Sequence, residues 1–224
     1  MQAAQTVVFL HGMGESADAW DAQRAALPAG FESLAVDVFG SGDGSDGATS
    51  FSLDGAADAV CEQIDRHGAD KVHLCGLSLG AMIALQVAVD HPERVRSLTL
   101  AAGQVKPPRA LMAVQGAVFR LLPAKMLEKQ GARKDVMLSV MRAVSRADFS
   151  GQLSAVSSPT LVLCGEKDRP NMPAARALAA GIRSAELRII PGAGHQSHMQ
   201  APEAFATLLG EFLTRVHAQD ADTR

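Results

Sequence analysis

The sequence predicts an α/β fold: a mostly parallel sheet of about six strands, helices on both faces, and a helical cap inserted late in the chain. Three observations predict it. Short, β-branched, apolar runs alternate with longer stretches of helical periodicity, which calls for crossover connections between parallel strands. The runs are apolar nearly throughout instead of alternating with polar residues, as strands covered on both faces are. The alternation breaks once, between Gln104 and Val156.

Strands are expected at Thr6–Leu10, Leu34–Val38, Lys71–Cys75, Ser97–Ala101, Thr160–Cys164 and Glu186–Ile190, and helices at Ala17–Leu27, Leu53–His67, Leu79–Asp90, Ala174–Gly181 and Pro202–Val216. The glycine-rich "FGSGDGSDGATS", residues 39–50, follows a strand but lacks dinucleotide-loop spacing, so it reads as a tight surface loop beneath the site. The insertion carries "RALMAVQGAVFRLLPAKMLEKQ" and "RKDVMLSVMRAVSRADF", opened by Pro107-Pro108 and closed by Ser157-Ser158-Pro159. An insertion placed between two strands of an open sheet sits at the carboxyl edge, where ligands bind, so it reads as a cap over about 104–156. Its methionines and phenylalanine exceed what one buried helix face needs, which favours a cap over a plain pair of packing helices. The polar tail "HAQDADTR" is expected to fray.

Composition bounds the partners. The 224 residues suit a single domain with one well-buried core. With 47% hydrophobic residues, 20% charged residues and a net charge of −3, the chain resembles an ordinary soluble globular protein without the basic field that would hold a polyanion. It has no tyrosine and one tryptophan, so a base-stacking platform is poorly supplied and nucleic acid is not an expected partner. Cys61, Cys75 and Cys164 are odd in number and scattered, which suggests buried, reduced thiols. They lack metal spacing, and no metal or cofactor is expected. The start "MQAAQTVVFL" has no basic leader, and no apolar run approaches membrane-spanning length. A cytoplasmic monomer or homodimer without a membrane partner is the expectation.

The chemistry-bearing stretch is "CGLSLGAM", residues 75–82, where Ser78 stands between Gly76 and Gly80 at the junction of a strand and a helix. That is the context of a nucleophile elbow, in which a strained turn lifts a serine hydroxyl above the sheet. Glycines at 76 and 80 let strand and helix approach the turn, and the helix start points N–H groups at any oxyanion forming beside Ser78. Because a serine hydroxyl is a weak nucleophile, it needs a base, and the base needs an acid to orient it. Downstream, "LVLCGEKDRP" ends a strand with Asp168, and "LRIIPGAGHQSH" ends the next with His195 on a glycine-rich loop. Both leave the sheet at the edge that carries Ser78, in the chain order Ser, Asp, His of elbow enzymes. Asp168 is preferred to Glu166, which is expected to point outward; His195 is preferred to His198, which is expected at the surface. The oxyanion donors are assigned to the backbone N–H groups of Met13, in "FLHGMGES", and Leu79. His11 is expected to be a buried hydrogen-bonding brace.

Taken in order, "VVFLHGMG", "DVFGSGDGS", "GLSLGAMIAL", "HPERVRSLTLAAG", "PTLVLCGEKD" and "IIPGAGH" resemble the α/β-hydrolase fold family along nearly the whole chain. The resemblance implies a cofactor-free serine hydrolase that forms an acyl-enzyme, most similar to small carboxylesterases and enol-lactonases. The chain departs from the family in opening almost on "TVVFLHG", so that the leading strand hairpin is expected to be missing or vestigial, and Leu77 stands where carbon–carbon bond hydrolases commonly have asparagine. Ser78 argues against relatives with an aspartate nucleophile. The expected reaction is hydrolysis of a small, largely apolar ester; lactone or carbon–carbon bond cleavage by the same triad, or a non-catalytic ligand-binding relative, are the alternatives. Met112, Val118, Phe119, Leu122, Met137 and Met141 are the candidate substrate-pocket residues.

Overall fold

The computed structural model describes residues 4–38, 51–108, 117 and 134–222. Six strands form one sheet: β1 (Gln5–Leu10), β2 (Phe31–Val36), β3 (Val72–Leu77), β4 (Val95–Ala101), β5 (Thr160–Gly165) and β6 (Ala185–Ile190). Their order is β2-β1-β3-β4-β5-β6, and every neighbouring pair is parallel. From β1 the chain first fills one side of the sheet and then, after β3, the other. Turns at the carboxyl ends of β1, β3, β5 and β6 therefore open on one rim, with β1 beside β3.

Strand side chains divide by parity between two apolar layers. Val8, Leu10, Leu74, Leu98, Leu100 and Val162 pack on one face with α2 (Leu53–His67) and α3 (Leu79–Asp90), while Val7, Phe9, Cys75, Leu77, Leu161 and Leu163 face Trp20 and α7 (Pro202–Asp222). Each fully buried leucine, isoleucine or phenylalanine contributes about 1.5–3 kcal/mol relative to leaving it in water. The helix α3 is buried from Leu79 to Ala88, so it is the central pillar and not an amphipathic surface helix. Its fixed seat on the sheet positions its first residue.

Local signals set the ends of α2. Ser52 caps its start by accepting a hydrogen bond from Gly55 N at 3.1 Å, and Gly68 ends it at φ 82°, a conformation open to glycine. The stretch expected as one helix from Ala17 to Leu27 is instead a 3-10 turn (Ala17–Trp20) followed by α1 (Asp21–Ala25). Tertiary burial of Trp20 decides the break, with its ring 5.2 Å from that of Phe9 and 5.6 Å from that of Phe205. Further helices are α4 (Lys134–Arg146), α5 (Met172–Gly181) and the short α6 (Ser197–Gln200).

The tail does not fray where expected. The last helix continues to Asp222, and Arg96 on β4 pairs with Asp220 at 2.5 Å, fastening the polar end to the sheet. The glycine-rich loop at 39–50 and most of the insertion lie outside the described residues, apart from 104–108, 117 and 134–156. Among the described residues, no helix is long and apolar enough to cross a membrane.

Candidate active site

Ser78 joins β3 to α3 with φ 54° and ψ −109°. A non-glycine residue held there costs on the order of 1–3 kcal/mol and persists only where its surroundings over-determine it. Here they do. Ser78 N donates to Ala101 O at 2.8 Å, and Met82 N donates to Ser78 O at 3.1 Å. A Cβ on Gly76 would stand 2.3 Å from Gly80 O, and one on Gly80 would stand 2.1 Å from Leu10 O. Both glycines are thus required by backbone meeting backbone. Ser78 occupies the N-cap position of α3, yet its hydroxyl makes no capping bond. Leu79 is the first helical residue, where an N–H has no partner inside the helix.

The turn after β1 lies against this elbow. Gly80's contact with Leu10 O extends to His11 O, 2.7 Å from the same hypothetical Cβ, so Gly12-Met13-Gly14 follows directly beside the start of α3. His11 is fully buried and braces the turn: its Nδ1 lies 2.8 Å from Gly12 O, and its Nε2 accepts from Val38 N at 3.2 Å. Glu15 N donates to Gly12 O at 3.2 Å, closing the turn around Met13.

At the far side of the rim, β5 and β6 deliver an acid and an imidazole. Asp168 is buried, and its Oδ2 lies 2.9 Å from His195 Nδ1. Main-chain bonds hold the two loops in register, from Glu166 N to Ile190 O at 3.0 Å and from Lys167 N to Ala193 O at 2.8 Å. Gly165 permits this approach, since its Cβ would stand 2.2 Å from Gly194 O. Glu166, the rival acid, is exposed and accepts from Gly192 N at 2.8 Å, so it supports the histidine loop from outside. His195 itself is 45% exposed at the rim.

The structure brings Asp168 and His195 into hydrogen-bond contact and sets Ser78 on the same edge of the sheet. Among the described residues it forms no hydrogen bond between Ser78 Oγ and His195. Such contacts are often long before substrate binds and tighten in the loaded enzyme. Met137 and Met141 are buried on α4, whereas Met112, Val118, Phe119 and Leu122 lie outside the described residues. A cleft of 560 Å³ between the start of α2 and α4 is lined by Ser52, Asp54, Gln86, Arg142 and Arg146 among others. It does not include Ser78, Asp168 or His195. Among the described residues, no group of three or more His, Cys, Asp or Glu side chains is arranged to hold a metal ion.

Two features escape a reading of the sequence. His198, expected at the surface, is fully buried because α6 folds back on Trp20, whose ring centroid is 4.5 Å from the imidazole. Burial pushes its pKa down, while Glu15, whose Oε2 is 3.8 Å from His198 Nε2, pulls the other way. The second is Asn171, whose Nδ2 lies 2.8 and 2.9 Å from the two carboxylate oxygens of Asp168, and whose Oδ1 is 2.5 Å from Gln104 Nε2. An asparagine at a helix start ordinarily reads as a cap, so the sequence carries no signal for this use.

A profile described as "Alpha/beta hydrolase family" matches residues 7–208. The chain is 28% identical to a pimeloyl-(acyl-carrier protein) methyl ester esterase of Neisseria meningitidis, with 96% of this chain and 95% of that protein covered. Among solved structures, a thermophilic esterase from Thermogutta terrifontis superposes with a TM-score of 0.79 at 25% identity, covering 97% of this chain and 92% of that one. The enol-lactonase from Burkholderia xenovorans LB400 superposes with a TM-score of 0.78 at 22% identity, covering 95% and 92%, a likeness of fold.

Proposed function

The chain belongs to the α/β-hydrolase family, and from that membership we propose that it is a carboxylesterase-type serine hydrolase acting on small, largely apolar esters. The observation that carries this reading is the pairing of a buried Asp168 carboxylate with His195 at 2.9 Å, on the same sheet edge as a serine held at positive φ. Ester chemistry is supported by the likeness to the Neisseria methyl ester esterase and the Thermogutta esterase. The apolar preference extends the sequence expectation that Met137 and Met141, which are buried on α4, line the substrate pocket.

In the proposed cycle, His195 Nε2 removes the Ser78 Oγ proton as the oxygen attacks the ester carbonyl. Negative charge moves to the carbonyl oxygen, which the N–H groups of Met13 and Leu79 receive. Asp168 keeps the other imidazole nitrogen protonated and offsets the positive charge on the ring. Collapse of the tetrahedral intermediate breaks the bond to the alcohol, which leaves with the proton from His195. Water then attacks the acyl-serine, His195 again taking a proton, and the acid is released as Ser78 is regenerated.

The test is direct. Wild type should hydrolyse a short-chain p-nitrophenyl ester and be labelled by a fluorophosphonate, and Ser78→Ala should do neither. Undiminished turnover by purified Ser78→Ala would overturn the assignment. A panel with lactones of matched acyl length separates esterase from lactonase.

A further inference from the structure

We propose that Asn171 is a positioning residue that fixes the Asp168 carboxylate for His195, and that Gln104, at the first position of the insertion, fixes Asn171 in turn. The proposal rests on the roles of Asp168 and His195 given above.

The orientation of the whole chain of groups follows from one constraint. An ionised carboxylate can only accept hydrogen bonds, so Asn171 must turn its NH2 toward Asp168, reaching Oδ1 at 2.8 Å and Oδ2 at 2.9 Å. Its carbonyl then faces away and needs a donor, which Gln104 supplies through Nε2 at 2.5 Å. The arrangement is made at the expense of the role that the position would ordinarily give asparagine. Asn171 is the N-cap of α5, where this side chain normally accepts from the helix's first N–H groups, and here it makes no capping bond.

The same amide also controls the imidazole. Asn171 Nδ2 lies 3.0 Å from His195 Nδ1, and Asp168 Oδ2 lies 2.9 Å from that nitrogen. If Nδ1 carries the proton, it donates to Asp168, the two Asn171 hydrogens go to the carboxylate, and Nε2 is left bare to act as base. If the proton sits on Nε2, Nδ1 could accept from Asn171, but the base would be lost. Bonds to an ionised acceptor are roughly twice as strong as neutral ones, so anchoring the carboxylate selects the competent tautomer.

Gln104→Glu tests this with an almost isosteric change. The new carboxylate accepts where the old amide donated, so Asn171 flips to give it NH2 and turns its carbonyl on Asp168. Asn171→Ala removes the anchor outright. Both variants should lower kcat for a p-nitrophenyl ester by on the order of tenfold to a hundredfold with KM little changed, and slow fluorophosphonate labelling of Ser78 to match. Long-range 1H–15N correlation spectra of histidine-labelled protein, with His195 assigned by its loss in His195→Ala, supply a readout independent of turnover. Wild type should show the Nδ1–H tautomer with its proton far downfield in the bond to Asp168, and in both variants that proton should move upfield as the carboxylate loses its anchor. If the His195 Nδ1–H proton keeps its wild-type shift in folded Gln104→Glu, the proposal is overturned whatever happens to the rate. Should Asn171→Ala not fold, Gln104→Glu carries the test alone. A wild type that neither hydrolyses nor labels would remove the proposed function, while the Nδ1–H shift measurement would still decide the role of Asn171.

Discussion

Glu15, in the turn after β1, accepts a hydrogen bond from Gln196, the residue after His195, at 2.8 Å. Its second carboxylate oxygen accepts from Gly12 N at 2.9 Å. One side chain, only 10% exposed, thus ties the turn holding Met13 to the loop holding His195, two segments 181 residues apart in the sequence. Both must hold their positions relative to Ser78 within fractions of an ångström for the proposed cycle to run. Glu15→Ala should therefore lower kcat by on the order of tenfold or more. Glu15→Gln, which retains one acceptor oxygen, should lose less. The measurement is steady-state hydrolysis of a short-chain aryl ester, and equal rates for the alanine variant and wild type would show the tie to be dispensable.

Asp168→Asn should leave the fold intact and reduce kcat by on the order of 10⁴, because an amide cannot hold His195 in the tautomer that takes the serine proton. Glu166→Gln should leave turnover little changed, since an amide oxygen can still accept from Gly192 N. The pair of variants distinguishes the two acids of the "GEKD" turn. The reverse ranking would move the acid role to Glu166.

Gly80→Ala should destabilise the protein by about 3 kcal/mol or more, since its Cβ would lie 2.1 Å from Leu10 O and neither backbone can withdraw without opening the sheet. Gly151 is exposed with nothing within 4 Å of the corresponding position, and Gly151→Ala should stay within about 0.5 kcal/mol of wild type. Urea unfolding midpoints report both.

Acid should weaken the fold through its buried histidines. Burial drives the pKa of His73 down to about 3, with Arg96 adding to the effect, and burial also lowers that of His198. In the unfolded chain each returns to about 6.5. Between those values for His73 the unfolded state binds more protons, so its contribution to stability is full above about pH 6.5 and falls as the pH drops toward 3, by up to ~1.4 kcal/mol per pH unit, and His198 acts in the same direction. His73→Gln cannot take up that proton, and its thermal midpoint should decline less steeply from pH 7 to pH 4 than wild type. Parallel slopes would exclude His73 as a source of acid sensitivity.

Much of the architecture was legible because each relevant signal is local. The runs "TVVFL" and "TLVLC" are apolar on both faces, which only a covered parallel sheet accommodates. The limits of α2 follow from Ser52 and Gly68, and that of α3 from the glycine-flanked serine before it. Asp168 and His195 could be picked because each ends a strand. The rest depends on which surfaces meet. Nothing near Trp20 in the sequence announces that its burial will break a helix, and nothing near His198 announces that it will lie on that ring. Asn171 takes its meaning from Gln104, 67 residues away, across a strand and the insertion.

The meeting of Gly80 with Leu10 and His11 has a consequence for how such a protein can diversify. Bare main chain touches bare main chain there, so elbow and neighbouring turn move as a single rigid block that no surface change can re-aim. Substitutions elsewhere can change what surrounds Ser78 but not where the elbow stands relative to the first turn.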